Sequence, residues 1–176
     1  MKKNWTGRLL LRRGAAALLA ALAVIQAVPV VAEGSDVSDY ASLTRALESA
    51  RESGGPAVLT LKEDIAAEGN IRVESDVTLT ADSPITLDVS TFSVDVTTGA
   101  SLTIGENVTI RQPETADSHP VYVRDNATLR VIGGKILSET ESKVYVVNAV
   151  GANIRIELRG GEIVTRSPSG RAIYTN

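Results

Sequence analysis

The chain is 176 residues long, enough for one domain, and contains no cysteine and a single histidine. The missing cysteines exclude a disulfide framework, a thiolate metal site and a cysteine-linked lipid anchor. The five charges before residue 33 are all positive, which leaves 13 basic against 21 acidic side chains beyond it, a net charge of −8 that suits a soluble secreted surface and not nucleic acid.

The first segment reads as a secretory signal peptide over residues 1–32. "MKKNWTGRLLLRR" is cationic, "AAALLAALAVI" is an apolar run from Ala15 to Ile25, and Val30-Val31-Ala32 offers small residues for cleavage near Ala32. The apolar run is too short to span a bilayer, which needs about 20 such residues. The mature chain is therefore expected to begin near Glu33, to be secreted or associated with the cell surface, and to hold no transmembrane segment.

Residues 33–56 read as a linker and a helix. "SDYASLTRALESARESGG" places Tyr40, Leu43, Leu47 and Ala50 on one helical face, with Ser38 or Asp39 as N-cap and Gly54-Gly55 as the stop. Its apolar stripe suits it to cap one end of whatever follows.

From Ala57 to Asn176 the chain repeats. One triplet type reads "IRV" (71–73), "VDV" (94–96), "VYV" (121–123), "VYV" (144–146) and "IYT" (173–175). A second reads "VTL" (77–79), "LTI" (102–104), "LRV" (129–131) and "IRI" (154–156). A third reads "ITL" (85–87), "VTI" (108–110), "GKI" (134–136) and "GEI" (161–163). Each triplet alternates inward apolar with outward polar, which is strand periodicity, and turn residues such as "TTGA", "RDNA" and "VGAN" separate them. Three strands recurring in fixed order every 23–29 residues predict an all-β solenoid, a parallel β-helix of about five coils, with Val94, Val121 and Val144 stacked inside. An antiparallel sandwich also uses short strands, but it does not account for the fixed order of three strand types. "RQPETADSHP", residues 111–120, is the clearest insertion. The chain stops inside a strand slot, so the C-terminal end of the solenoid reads as truncated or uncapped, and end-to-end self-association is expected.

A capping helix followed by "AVLTLKEDI", "GASLTIGENVTI", "NATLRVIGGKI" and "GANIRIELRGGEI" resembles the right-handed parallel β-helix, pectate-lyase-like secreted and surface proteins of bacteria, over residues 37–176. That superfamily includes polysaccharide lyases, polygalacturonase-like hydrolases, pectin esterases, adhesins and passive scaffolds. Its hydrolases carry Asn-x-Asp, paired Asp-Asp and His-Gly motifs, and this chain has none of the three. The acids nearest to a lyase calcium set, Asp88 and Asp95, fall in different strand slots. The resemblance therefore transfers no catalytic residue, metal site or cofactor. Family members are usually longer, so the chain reads as the N-terminal portion of a larger architecture.

The outward position of the first triplet reads Arg72, Asp95, Tyr122, Tyr145, Tyr174, which puts three of the four tyrosines in one expected column. Exposed aromatic rings suit sugar faces, although they also stabilise a sheet by stacking on one another. The second outward column reads Thr78, Thr103, Arg130, Arg155, and its two arginines could meet an anionic polysaccharide or simply form a solvated face. The third reads Thr86, Thr109, Lys135, Glu162. His119, with Glu114 and Asp117 in the insertion, offers too few ligands for a metal and reads as a solvated turn. The ligand-binding candidates are thus Tyr122, Tyr145, Tyr174, Arg130 and Arg155. The expected function is adhesion or glycan binding without catalysis. The alternatives are a polysaccharide lyase or hydrolase whose active site is degenerate or lies beyond residue 176, and a structural spacer.

Overall fold

A strand of three to five residues buries too little to hold itself together, so alternating triplets must find neighbours one period away. The computed structural model, which describes residues 32–176, places each triplet beside its counterpart in the next coil. Sheet I runs β1 (Ala32–Val37), β2 (Ala57–Leu61), β5 (Asp76–Ala81), β8 (Ser101–Ile104), β11 (Thr128–Ile132), β14 (Arg155–Arg159). Sheet II runs β3 (Ile65–Ala66), β6 (Ile85–Asp88), β9 (Val108–Gln112), β12 (Lys135–Ser138), β15 (Glu162–Thr165). Sheet III runs β4 (Ile71–Val73), β7 (Val94–Val96), β10 (Val121–Val123), β13 (Tyr145–Ala149), β16 (Arg171–Thr175). All strand ladders are parallel. The fold is a parallel β-solenoid of about five coils, as the three recurring triplets predict.

The core is a set of side-chain ladders. Leu87, Ile110 and Ile136 stack in sheet II, and Leu102 and Leu129 in sheet I, all fully buried. Each such residue contributes about 1.5–3 kcal/mol against the chain entropy of ordering its coil. With no aromatic among its fully buried side chains, the interior is mainly aliphatic, interrupted by a few buried polar residues. Gln112 and Ser138 are fully buried, and Ser138 Oγ donates to Gln112 Oε1 at 2.8 Å.

Turns fix the coil spacing. Gly99, Asn126 and Asn153 take left-handed backbone angles (φ 78, 57 and 56°) at the same corner of three successive coils. Asn153 Nδ2 donates to Asn126 Oδ1 at 3.1 Å, so the corner side chains also stack. At the corner into sheet II a different constraint operates. A Cβ on Gly134 would lie 2.5 Å from the Gly105 carbonyl oxygen and 2.6 Å from Ile104 Cγ2.

Helix α1 (Tyr40–Ser53) begins at Asp39, whose carboxylate accepts from the Ser42 amide at 2.6 Å while Ser42 Oγ accepts from the Asp39 amide at 3.1 Å. It ends at Gly54 in the left-handed conformation, and Leu43, Leu47 and Ala50 are buried against the first coil. The sequence predicts linker over residues 33–37. They form most of β1, which extends sheet I beside β2 and buries Val37. The signal-peptide reading lies outside the described residues except at Ala32, where β1 begins. Among the described residues no helix is long and apolar enough to cross a membrane.

Two registers differ from the triplet reading. In sheet III, Val121 pairs with Val147 and Tyr122 with Asn148, so β13 is shifted by three residues and Val144 is not the ladder partner of Val121. In sheet I, Leu129 pairs with Ile156 and Arg130 with Glu157, a shift of two. In sheet I the left-handed asparagine at 153 sets the register: Leu102, Leu129 and Ile156 each follow the left-handed corner residue by three.

Candidate functional site

The tyrosines lie on the outward side of sheet III, near its third to fifth coils. Because of the register shift, the column there reads Arg72, Asp95, Tyr122, Asn148, Tyr174. Tyr145 stands at the start of β13, opposite Arg171 and outside that column. It still joins the other rings. Tyr145 stacks on Tyr174 with centroids 4.2 Å apart and planes 11° from parallel. On its other side it stacks on His119 at 5.0 Å and 22°, and His119 in turn meets Tyr122 at 5.4 Å with a 59° tilt.

His119 is thus the middle of an aromatic ladder and not a solvated turn. Its Nδ1 accepts a hydrogen bond from the Tyr145 amide at 3.0 Å, and burial pushes its pKa below the ordinary imidazole value. The 113–120 segment that carries it is anchored from inside. Ala116 is buried, and Gln112 Nε2 donates to Ser118 Oγ at 3.0 Å. Guanidiniums cover both ends of the ladder: Arg124 lies 4.9 Å from the Tyr122 centroid and Arg171 lies 5.8 Å from that of Tyr174. The ring faces are largely spent on one another and on these cations, so the expected flat aromatic platform is absent.

A groove opens on the same sheet, beside Tyr122. Its volume is about 580 Å³, and its walls come from Asn70, Arg72, Thr91, Ser93, Asp95, Ser118, Tyr122 and Arg124. Its geometry is held by short side-chain bonds. Arg124 grips Asp95 in a two-pronged pair, Nε to Oδ1 at 2.8 Å and Nη2 to Oδ2 at 3.2 Å, which raises the arginine pKa further above its ordinary value. Asn70 Oδ1 accepts from the Ser93 amide at 3.1 Å, and Ser118 Oγ donates to the Phe92 carbonyl at 3.3 Å. The groove therefore mixes fixed charge, hydroxyls and one aromatic side chain.

The other two candidates come together elsewhere. Arg130, Arg155 and Arg159 all converge on Glu157 on the outer face of β11 and β14. Arg130 lies 3.7 Å and Arg159 3.1 Å from that carboxylate, which is only 13% exposed. Arg155 is not the column partner of Arg130; Glu157 is. On sheet II a line of alternating charge crosses four coils, Asp88, Arg111, Glu139 and Arg166. Among the described residues no three histidine or carboxylate side chains converge as a metal-ligand set.

Sequence reasoning missed His119 and the groove. The available signal was the period: Tyr145 lies 26 residues after His119, and Arg124 lies 29 after Asp95, one coil in each case. No protein-family model, curated protein or solved structure matches the chain.

Proposed function

We propose that this solenoid is a non-catalytic secreted or cell-surface protein that binds glycan in the groove beside Tyr122, in an adhesion role. The observation that carries the reading is the groove's composition. A sugar presents many hydroxyls, each both donor and acceptor, and binding requires groups of both kinds held in place. Asp95 accepts, Arg124 donates, and the serine hydroxyls do either, while the Arg124–Asp95 pair keeps both groups fixed before a ligand arrives. The Tyr122 side chain supplies apolar contact for ring carbons. The likeness to pectate-lyase-like secreted proteins and the leader read over residues 1–32 support the same setting.

A glycan array probed with the full chain tests this. Hits are expected, with affinity falling about tenfold or more on Tyr122→Ala or Arg124→Ala, the scale of one lost anchoring contact. Tyr174→Ala, remote from the groove walls, should change it little. An array without hits, or hits indifferent to both groove changes, would remove the binding reading.

A structural spacer is the second reading, and the self-stacked tyrosine ladder favours it, since rings that cover one another stiffen a rod without offering a platform. Self-association belongs with either reading. Among the described residues β14, β15 and β16 are the outermost strands at one end, and Leu158 and Ile173 are 53% and 41% exposed there. Unpaired edges and bare aliphatic side chains promote end-to-end pairing. Light scattering across a concentration series should give a rising mass; a constant monomer mass would remove this part.

A further inference from the structure

We infer that His119 is a pH-sensitive latch that ties the 113–120 segment to the coil above it and lets go when the imidazole takes up a proton. The geometry leaves little choice of protonation state. The Tyr145 amide donates to Nδ1 at 3.0 Å, so that nitrogen must hold a lone pair and any ring proton sits on Nε2. A second proton can enter only at Nδ1. There it would point at the Tyr145 N–H, replacing a hydrogen bond by two opposed donors.

The surroundings offer no compensation. Arg124 stands over Tyr122 and Arg171 over Tyr174, so the nearest fixed charges along the ladder are positive. Asp95, on the same sheet, is taken by Arg124. Glu114 and Asp117 on the segment itself, and Glu141 and Lys143 on the connection into β13, are exposed. Burial alone shifts the imidazole, and it favours the neutral form. The neutral ring is therefore the locked state, and the charged ring gains by turning out to solvent.

Letting go has a defined path. Turning His119 outward breaks its stack on Tyr145 and its tilt against Tyr122, and frees the Tyr145 amide. Ser118 and Tyr122, on either side in sequence, are groove walls, so one end of the groove loosens with it. The inner tethers, buried Ala116 and the Gln112–Ser118 bond, carry no titratable group, so the segment stays attached to the core while the ladder and the Tyr122 end of the groove open. The latch stands on these atoms and does not need the groove to bind sugar.

Amide hydrogen exchange on the full chain tests it, from about pH 7.5 to about pH 4.5, with intrinsic exchange corrected and the imidazole followed by NMR across its ordinary range near 6.5 and below. Protection of the Tyr145 amide should fall at least about tenfold in step with imidazole protonation, one lost hydrogen bond of about 1.4 kcal/mol or more. The Lys62 amide, bonded to the Val37 carbonyl at 2.9 Å in the first coil, should keep its protection. His119→Asn, whose side-chain oxygen can stand in for Nδ1 without titrating, should flatten the response. Tyr145 protection that persists through the imidazole titration overturns the latch. So does loss of Tyr145 and Lys62 protection together, which is global acid unfolding. The wild-type comparison decides even where the asparagine variant folds poorly.

Discussion

The ladder of rings makes a quantitative prediction about register. Tyr145 contacts two rings, Tyr174 at 4.2 Å and His119 at 5.0 Å, whereas Tyr174 contacts one. Each stacked aromatic pair contributes about 0.5–1.5 kcal/mol beyond its buried area. Tyr145→Ala should therefore cost about 1–3 kcal/mol and Tyr174→Ala about half as much. For a domain of this size a loss of ~2 kcal/mol lowers Tm by about 4–8 °C. Urea unfolding followed by circular dichroism measures both single variants and their double. The Tyr145–Tyr174 coupling energy should be about 0.5–1.5 kcal/mol. Tyr122 and Tyr174 share a column but have Asn148 between them, so two strand spacings, about 10 Å, separate their strands, and their coupling should stay within about 0.5 kcal/mol of zero. Tyr122 and Tyr145 meet only through His119, so any coupling between them should vanish in a His119→Ala background. A Tyr122–Tyr174 coupling as large as that of Tyr145–Tyr174, or a Tyr145→Ala cost no greater than Tyr174→Ala, would refute both the register and the ladder.

Other outcomes follow from the packing. Gly134→Ala drives a methyl into the Gly105 carbonyl and Ile104 Cγ2, neither free to move, so it should cost about 1–3 kcal/mol or more. Gly54→Ala meets nothing within 4 Å and bears only the strain of φ +65°, about 1 kcal/mol, so thermal melts should rank Gly134→Ala as the worse change. Asn148 is 9% exposed and its buried side-chain oxygen accepts no hydrogen bond from the described residues; Asn148→Leu should be neutral or raise Tm, and a fall of several degrees would refute the view that this amide is buried at a cost. Asp39→Ala removes the acceptor for the Ser42 amide at the start of α1 and should cost about 0.5–2 kcal/mol by chemical denaturation, with Asp39→Asn costing much less.

The fold was legible because inward side chains carry it. Three strand types with apolar first and third positions leave a stacked solenoid as the way to bury Leu87, Ile110 and Ile136 together, and in sheet II the column Thr86, Thr109, Lys135, Glu162 has the register that its triplets predict. Register in the other two sheets was hidden by a coincidence of letters. "VYV" at 121 and at 144 are identical, yet only the first is a three-residue strand; in the second Val144 precedes the strand, which runs from Tyr145 to Ala149. Apolar alternation cannot distinguish Val144 from Val147, since both are buried. In sheet I the corner fixes the register. A non-glycine residue in the left-handed region carries a conformational cost that asparagine bears best, so Asn126 and Asn153 are fixed points and the strands of sheet I that follow them, β11 and β14, are measured from them. β1 was missed for another reason: "EGSDV" has the turn-forming glycine, serine and aspartate that usually argue against a strand, and only pairing with β2 overrides that preference.

Polar side chains were harder to place than apolar ones, and the reason lies in the architecture. A solenoid turns one period of sequence into one strand spacing, so a residue's decisive partner stands 20 to 30 positions away and not among its neighbours. His119 reads as solvated beside Glu114 and Asp117, and as a ladder rung beside Tyr145, 26 residues on. Arg111 reads as an insertion residue until Asp88 and Glu139, 23 residues before and 28 after, are set on either side of it. Arg124 reads as a turn charge until Asp95 is set below it. In each case the hydrogen bond joins adjacent coils, so these bonds hold the stack together as well as shaping its surface. Charge patterning that looks random along the chain becomes alternation when read once per coil, as in Asp88, Arg111, Glu139 and Arg166. The groove beside Tyr122 follows from the same rule. Asn70, Ser93 and Ser118 lie just before the strands of three successive coils, and only stacking brings their polar groups together into one surface that a ligand can meet.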